Sequence, residues 1–266
     1  MLGYRVGFIG AGNMASAILN GALRQSVLRP EHAYISDPLI EKTEPFRSRG
    51  VHVTVSNTEV AEQAEIVVLA VKPQKFQEVL PELAGLVKGK CVVSIAAGIS
   101  SDYVRECLPG AYVIRVMPNT PLLVGKGLTA IARDNDAPEH FMDAVIELFA
   151  AAGETLLVEE AQINAVIALS GSSPAYFFRF ARAMTQEGER MGLTQEDALK
   201  LTAQAMRGSA AMLLRSGHTP MELERQVCSP GGTTLAALSA FDEGDLDGLI
   251  TEALRRCVKR AEELAQ

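Results

Sequence analysis

The chain has 266 residues, 48% hydrophobic and 21% charged, with 25 Lys and Arg against 32 Asp and Glu, a formal net charge of −7. At roughly 150 residues per domain this makes one large or two modest globular domains with ample core. The acidic excess is spread over both halves with no basic face or tail, and apolar runs stop at about ten residues. Nucleic acid and membrane are therefore excluded as main partners. The first apolar stretch is interrupted by Gly7 and Gly10 and carries no leader pattern, so a cytoplasmic protein is expected.

In chain order, residues 4–9 form a β-rich run, followed by a glycine turn and a helical segment over 14–24. Residues 33–36 and 51–55 read as the second and third strands. The stretch 65–71 is almost continuously apolar, as in strands buried on both faces of a parallel sheet. That pattern returns at 90–95 and 111–117, with helices expected over 76–87 and 102–107. Residues 127–133 and 155–158 complete the series around a helix over 138–151. Such alternation implies βαβ units and a doubly wound, mostly parallel sheet of Rossmann type.

After residue 158 no strand is expected, and Ala, Leu, Met, Arg and Glu recur at helical spacing. The chain thus divides into a dinucleotide-binding domain, 1–158, and an all-helical domain, 159–266, with no linker between them. A long helix over 161–191 is expected to kink near Ser172-Ser173-Pro174. Thr194 reads as a helix start, and Thr219-Pro220-Met221-Glu222 combines an N-cap, an N1 proline and a capping-box glutamate. Ser229-Pro230 repeats the N-cap and N1-proline pattern, which predicts a helix there with Gly231 and Gly232 in its first turn.

Cys91, Cys107, Cys228 and Cys257 form no C-x-x-C pair and the four histidines are scattered, so no metal site is expected. The sharpest local signal is Gly10-Ala11-Gly12-Asn13-Met14-Ala15, a G-x-G-x-x-A between the first strand and the first helix. Gly10 permits the turn, Gly12 lets a pyrophosphate approach the backbone, and the helix N-terminus holds its charge. Asp37, after the second strand, has two readings: acceptor for ribose hydroxyls, favouring NADH, or turn residue before Pro38. Ser36 and Asn57 are positioned to hydrogen-bond a 2′-phosphate instead, so NADH and NADPH both stay open. Later strand ends carry Ala70-Val71-Lys72-Pro73, Ala96-Ala97-Gly98 and Met117-Pro118-Asn119-Thr120-Pro121, where ligands of a parallel sheet bind. Glycines at 231 and 232, among Ser229, Thr233 and Thr234, suit a small carboxylate held by backbone N–H groups.

These segments, with Leu169-Ser170-Gly171-Ser172-Ser173-Pro174-Ala175-Tyr176, resemble the pyrroline-5-carboxylate reductases along nearly the whole chain. The resemblance implies NAD(P)H-dependent reduction of 1-pyrroline-5-carboxylate to L-proline, the last step of proline biosynthesis. It also implies a homodimer interlocked through the helical domains, often assembled into a decamer. Residues 10–14, Asn57, 70–73 and 96–98 then line the dinucleotide. Ser229, Gly231, Gly232, Thr233 and Thr234 hold the substrate, with the Thr234 hydroxyl on the ring nitrogen and Glu160 nearby. Cys228, Ser173 and Asn164 stand where Ser, Gly and Asp are frequent in the family. Two other readings compete. A β-hydroxyacid dehydrogenase shares the layout but needs a lysine early in the helical domain, and residues 159–178 contain no Lys or Arg. A dinucleotide-sensing protein would account for the first motif alone.

Overall fold

Val6–Ile9 (β1) is buried along its whole length, and its two faces see different helices. Val6 and Phe8 pack with Ile18 and Leu19 of the helix Asn13–Arg24 (α1). Ile9 packs on the opposite face, where Val60 and Ala61 of a later helix lie. In the computed structural model, which describes residues 1–134 and 136–264, this two-sided burial repeats across an eight-stranded sheet. Residues 135, 265 and 266, inside the two expected domains, lie outside the described residues.

The elements alternate as the sequence predicts, with two further short helices, Glu44–Arg47 and Asn57–Gln63, that were not read from it. After α1 come Ala33–Ser36 (β2), Glu44–Arg47 (α2), His52–Thr54 (β3), Asn57–Gln63 (α3) and Ile66–Leu69 (β4). Phe76–Leu83 (α4), Cys91–Ser94 (β5), Ser101–Cys107 (α5), Tyr112–Met117 (β6), Gly127–Ala132 (β7), Glu139–Ala150 (α6) and Gly153–Val158 (β8) follow. The strand order is β3-β2-β1-β4-β5-β6-β7-β8, with β1 at the switch point where the winding reverses. All pairings are parallel except β6 with β7. Only residues 118–126 separate those two strands, too short a stretch for a parallel crossover. One face packs α1 and α6 through Phe141, Val145, Leu148 and Phe149; the other packs α3, α4 and α5 through Val60, Leu80, Leu83 and Val104.

Beyond β8 the chain is helical: Ile163–Val166 (α7), Ser173–Arg190 (α8), Gln195–Arg215 (α9), Pro220–Gln226 (α10), Thr233–Glu243 (α11) and Leu246–Leu264 (α12). The expected kink is a turn of π-helix, Ile167–Gly171, closed by the Ser172 N–H on the Ile167 carbonyl at 2.8 Å. Ser173 restarts the helix, and its hydroxyl donates back to the Leu169 carbonyl at 2.7 Å. Thr194 and Thr219 cap α9 and α10 as predicted, the latter in a full capping box. Contacts divide the chain into two compact units, Met1–Pro174 with the chain from Cys257, and Ala175–Arg256. Residues 159–174 thus pack within the sheet unit, where Ile163 and Ile167 join Met117, Ala130 and Val158. No helix among the described residues is long and apolar enough to cross a membrane.

One expected element is corrected. Ser229-Pro230 does not start a helix: Gly231 takes φ +69°, a left-handed conformation that no helix interior accommodates. The Gly232 N–H donates to the Ser229 carbonyl at 2.9 Å, which closes a four-residue turn. Proline second and left-handed glycine third is the type II turn signature. Gly232 becomes the N-cap of α11, so both glycines precede the helix rather than weaken it.

Candidate active site

The carboxyl ends of β1, β2, β3 and β4 open into a cleft of about 750 Å³. It is lined by Gly10, Gly12, Asp37, Asn57, Ala70, Val71 and Lys72, together with Ser56, Thr58, Lys42 and Lys75. Gly10 adopts φ +97°, and a Cβ there would stand 2.8 Å from the Ala70 carbonyl oxygen, so the turn admits only glycine. Gly12 caps α1 in an extended conformation, with no side-chain cap bond and no acidic residue in the first turn. Nothing lies within 4 Å of where its Cβ would be. An uncapped, positively polarised helix end facing a cleft beside a glycine fits a dinucleotide pyrophosphate.

Asp37 is buried, and its carboxylate is fully engaged. It accepts the Ala11 N–H at 3.0 Å and the Leu39 N–H at 3.0 Å, with Lys42 Nζ 3.4 Å away. It therefore fastens the phosphate turn to the loop after β2 while presenting its charge at the cleft wall. The Ser36 hydroxyl donates to Asn57 Oδ1 at 2.8 Å, and Asn57 Nδ2 donates to Glu82 at 3.0 Å. This polar chain spans the ends of β2 and α3. Lys75, Ser56 and Thr58 were not singled out from sequence, and Lys42 only as the basic residue nearest the end of β2. Their signal was position alone, since all follow a strand end or its connecting turn.

A second cavity of about 370 Å³ is bounded by Pro73, Gln74, Gln77, Gly98, Ser100 and Leu264. Pro73 and Gly98 thus face a different space from residues 70–72. Ala11 and Ala96 are packed into core clusters, Ala97 and Met14 are half-buried against them, and Asn13 is exposed. Asn119 is committed locally: Nδ2 donates to the Ser170 hydroxyl at 3.0 Å and Oδ1 accepts the Leu128 N–H at 3.0 Å.

In the unit Ala175–Arg256, the turn from Ser229 delivers Gly232, Thr233 and Thr234 to the start of α11. No side chain caps that eleven-residue helix, and its first turn has no acidic residue. Ser229, Gly231 and Thr233 are exposed, with Gly232 and Thr234 half-buried.

A family model described as pyrroline-5-carboxylate reductase dimerisation matches residues 160–264. A second, described as NADP oxidoreductase, coenzyme F420-dependent, matches residues 5–98. The pyrroline-5-carboxylate reductase of Pseudomonas aeruginosa is 40% identical over 266 residues, covering 98% of this chain and 97% of its own. The chain belongs to the pyrroline-5-carboxylate reductase family. The solved reductase of Coxiella burnetii is 34% identical, with TM-score 0.90 over 99% of each chain. The Plasmodium falciparum pyrroline carboxylate reductase, solved with NADP bound, is 25% identical, with TM-score 0.92 over 100% of both chains.

Glu160, which the resemblance places near the substrate, is bonded within the sheet unit. Its carboxylate accepts the Ser101 N–H at 2.9 Å, the Ser101 hydroxyl, and Arg115 Nη1 at 3.4 Å. Burial pushes its pKa up, but the Ser101 bonds and the Arg115 charge outweigh burial and hold the carboxyl below its ordinary value. Burial in turn lowers the Arg115 pKa, opposed by Glu160. Among the described residues no three His, Cys, Asp or Glu side chains converge as a metal site would require.

Proposed function

We propose that this chain reduces 1-pyrroline-5-carboxylate to L-proline with NADH or NADPH. The observation that carries this reading is full-length family identity together with an uncapped, glycine-rooted helix start at 229–234. Residues 10–14 take the pyrophosphate on the α1 N-terminus, and Ser36, Asp37 and Asn57 face the adenosine ribose. Residues 70–72 line the same cleft and take the rest of the dinucleotide, while Pro73, residues 96–98 and Asn119 are assigned to it by family resemblance or strand-end position alone. When bound, the reduced cofactor supplies a hydride to the imine carbon.

The protein's own work is positioning and charge. The turn through Ser229, Gly231 and Gly232 leaves the N–H groups of Gly231, Thr233 and Thr234 free among the described residues, and these with the Ser229, Thr233 and Thr234 hydroxyls cradle the substrate carboxylate and ring. A cyclic imine accepts hydride best when protonated, so a hydroxyl on the ring nitrogen suffices and no strong acid is needed. The helical segment 159–266 joins two protomers into a homodimer, from which a decamer is built. Four free cysteines fit a reducing cytoplasm.

The test follows reduced-cofactor absorbance with pyrroline-5-carboxylate, beside 3-hydroxyisobutyrate in the oxidising direction. Turnover of the first alone is expected; turnover of the second alone would return the β-hydroxyacid dehydrogenase reading. Thr234→Ala should lose one hydrogen bond, about 1–3 kcal/mol, or roughly 5- to 150-fold in kcat/KM with cofactor affinity unchanged. An undiminished kcat/KM would leave Thr234 as a helix-start residue only.

A further inference from the structure

Glu160 opens the segment that follows β8, yet its bonds run back into the sheet. Its acceptor oxygens meet Ser101, the first residue of α5, and Arg115 on β6. Arg115 is only 6% exposed, and its Nε and Nη2 have no acceptor among the described residues. Glu160 is therefore the one carboxylate that answers this buried cation there. The Ser101 hydroxyl in turn accepts from Arg105 Nη1 at 2.9 Å, and Arg105 Nη2 holds Asp134 at 2.8 Å. The result is a continuous charged clasp, Arg115–Glu160–Ser101–Arg105–Asp134, tying β6, α5 and the chain after β8 together.

What this clasp holds in place is the loop after β5. Ser101 lies three residues beyond Gly98, and Ser100 between them caps α5 by accepting the Tyr103 N–H at 3.2 Å. On its other side Gly98 meets the end of α12, where a Cβ would stand 2.6 Å from Leu264 Cβ. Leu264 bounds Gly98 on one side and the pinned α5 follows it in the chain, so a displacement of α5 is passed to residues 96–98 even though Gly98 also borders the cavity of about 370 Å³. Well-packed interiors transmit such shifts rather than absorb them.

We infer that Glu160 is a positioning residue for the dinucleotide: it fixes the N-terminus of α5, and through it the loop Ala96–Gly98, without touching the substrate. This rests on the proposed assignment of residues 96–98 to the cofactor. A residue contacting the imine would instead govern substrate affinity, so the two roles separate cleanly.

Glu160→Gln keeps an acceptor for Ser101 but removes the charge facing Arg115, and Ser101→Ala removes only the hydroxyl bond. Each is titrated calorimetrically with NADPH below its unfolding temperature, and KM is measured for both substrates. Expected is a rise of about 5- to 15-fold in the NADPH Kd for Glu160→Gln, with imine KM at saturating cofactor unchanged and partial recovery in Glu160→Asp. Ser101→Ala should shift the same way by roughly 2- to 5-fold, and decides the matter if Glu160→Gln does not fold. Wild-type NADPH affinity in the folded variants, or a rise in imine KM alone, overturns the inference. If the wild type binds only NADH, the same shifts are read with NADH; failure to bind either dinucleotide overturns the site assignment and the inference together.

Discussion

Gly10 and Gly12 sit two residues apart and are glycines for different reasons. Gly10 holds a left-handed backbone against the Ala70 carbonyl, so any side chain there strains the protein itself. Gly12 has ordinary dihedrals and open space beyond its Cα, so a side chain there offends only a ligand. Gly12→Val should therefore abolish NAD(P)H binding in a calorimetric titration. Its thermal midpoint should fall by only about 2–4 °C, the cost of roughly 1 kcal/mol for a poor N-cap residue. Unchanged affinity would move the pyrophosphate elsewhere. This much was legible from spacing alone. Asp37 was only half legible. Its bond to Leu39, two residues on, is the local turn chemistry that Asp before Pro advertises. Its bond to Ala11 joins loops 26 residues apart, which no local pattern reveals.

At the level of elements, the strands read well because continuous apolar runs leave few alternatives to a buried parallel sheet. The turn at Ser229 did not, because N-cap serine with N1 proline looks the same as the first half of a type II turn. Only the left-handed Gly231 separates them. The clasp around α5 was equally hidden, as Ser101, Arg115 and Glu160 meet only when three elements assemble. It leaves a measurable signature. A carboxyl whose folded pKa is depressed contributes stability above its unfolded value near 4.5, and that contribution is lost as pH falls through and below it. Urea midpoints of the wild type should thus exceed those of Glu160→Gln most clearly at neutral pH, with the gap closing on acidification below about 4.5. Parallel curves down to pH 3 would mean that Glu160 carries no folded-state charge interaction.

At the scale of the whole molecule, the unit Ala175–Arg256 has much apolar surface that its own chain leaves uncovered. Phe177 is 57% exposed, Phe178 68% and Leu214 79%, while Ala198 and Thr202 are the buried residues of α9. Helices draw most of their stability from packing an apolar face, and exposed patches of this kind mark association surfaces. The family model matching 160–264 is described as a dimerisation segment, which supports the proposal that a second copy of the chain covers this face. Leu214→Lys tests this without harming the protomer: the side chain is mostly solvated, and lysine favours a helix C-terminus. Burial of one leucine is worth about 1.5–3 kcal/mol, and a twofold dimer loses it twice, roughly 3–6 kcal/mol. The dimer dissociation constant should rise about 100- to 20,000-fold, read by light scattering across a dilution series. Phe177→Lys should act in the same direction. If both variants dilute as the wild type does, or if the wild type is already monomeric at micromolar concentration, these side chains face solvent in the working protein and the helical unit must be stabilised some other way.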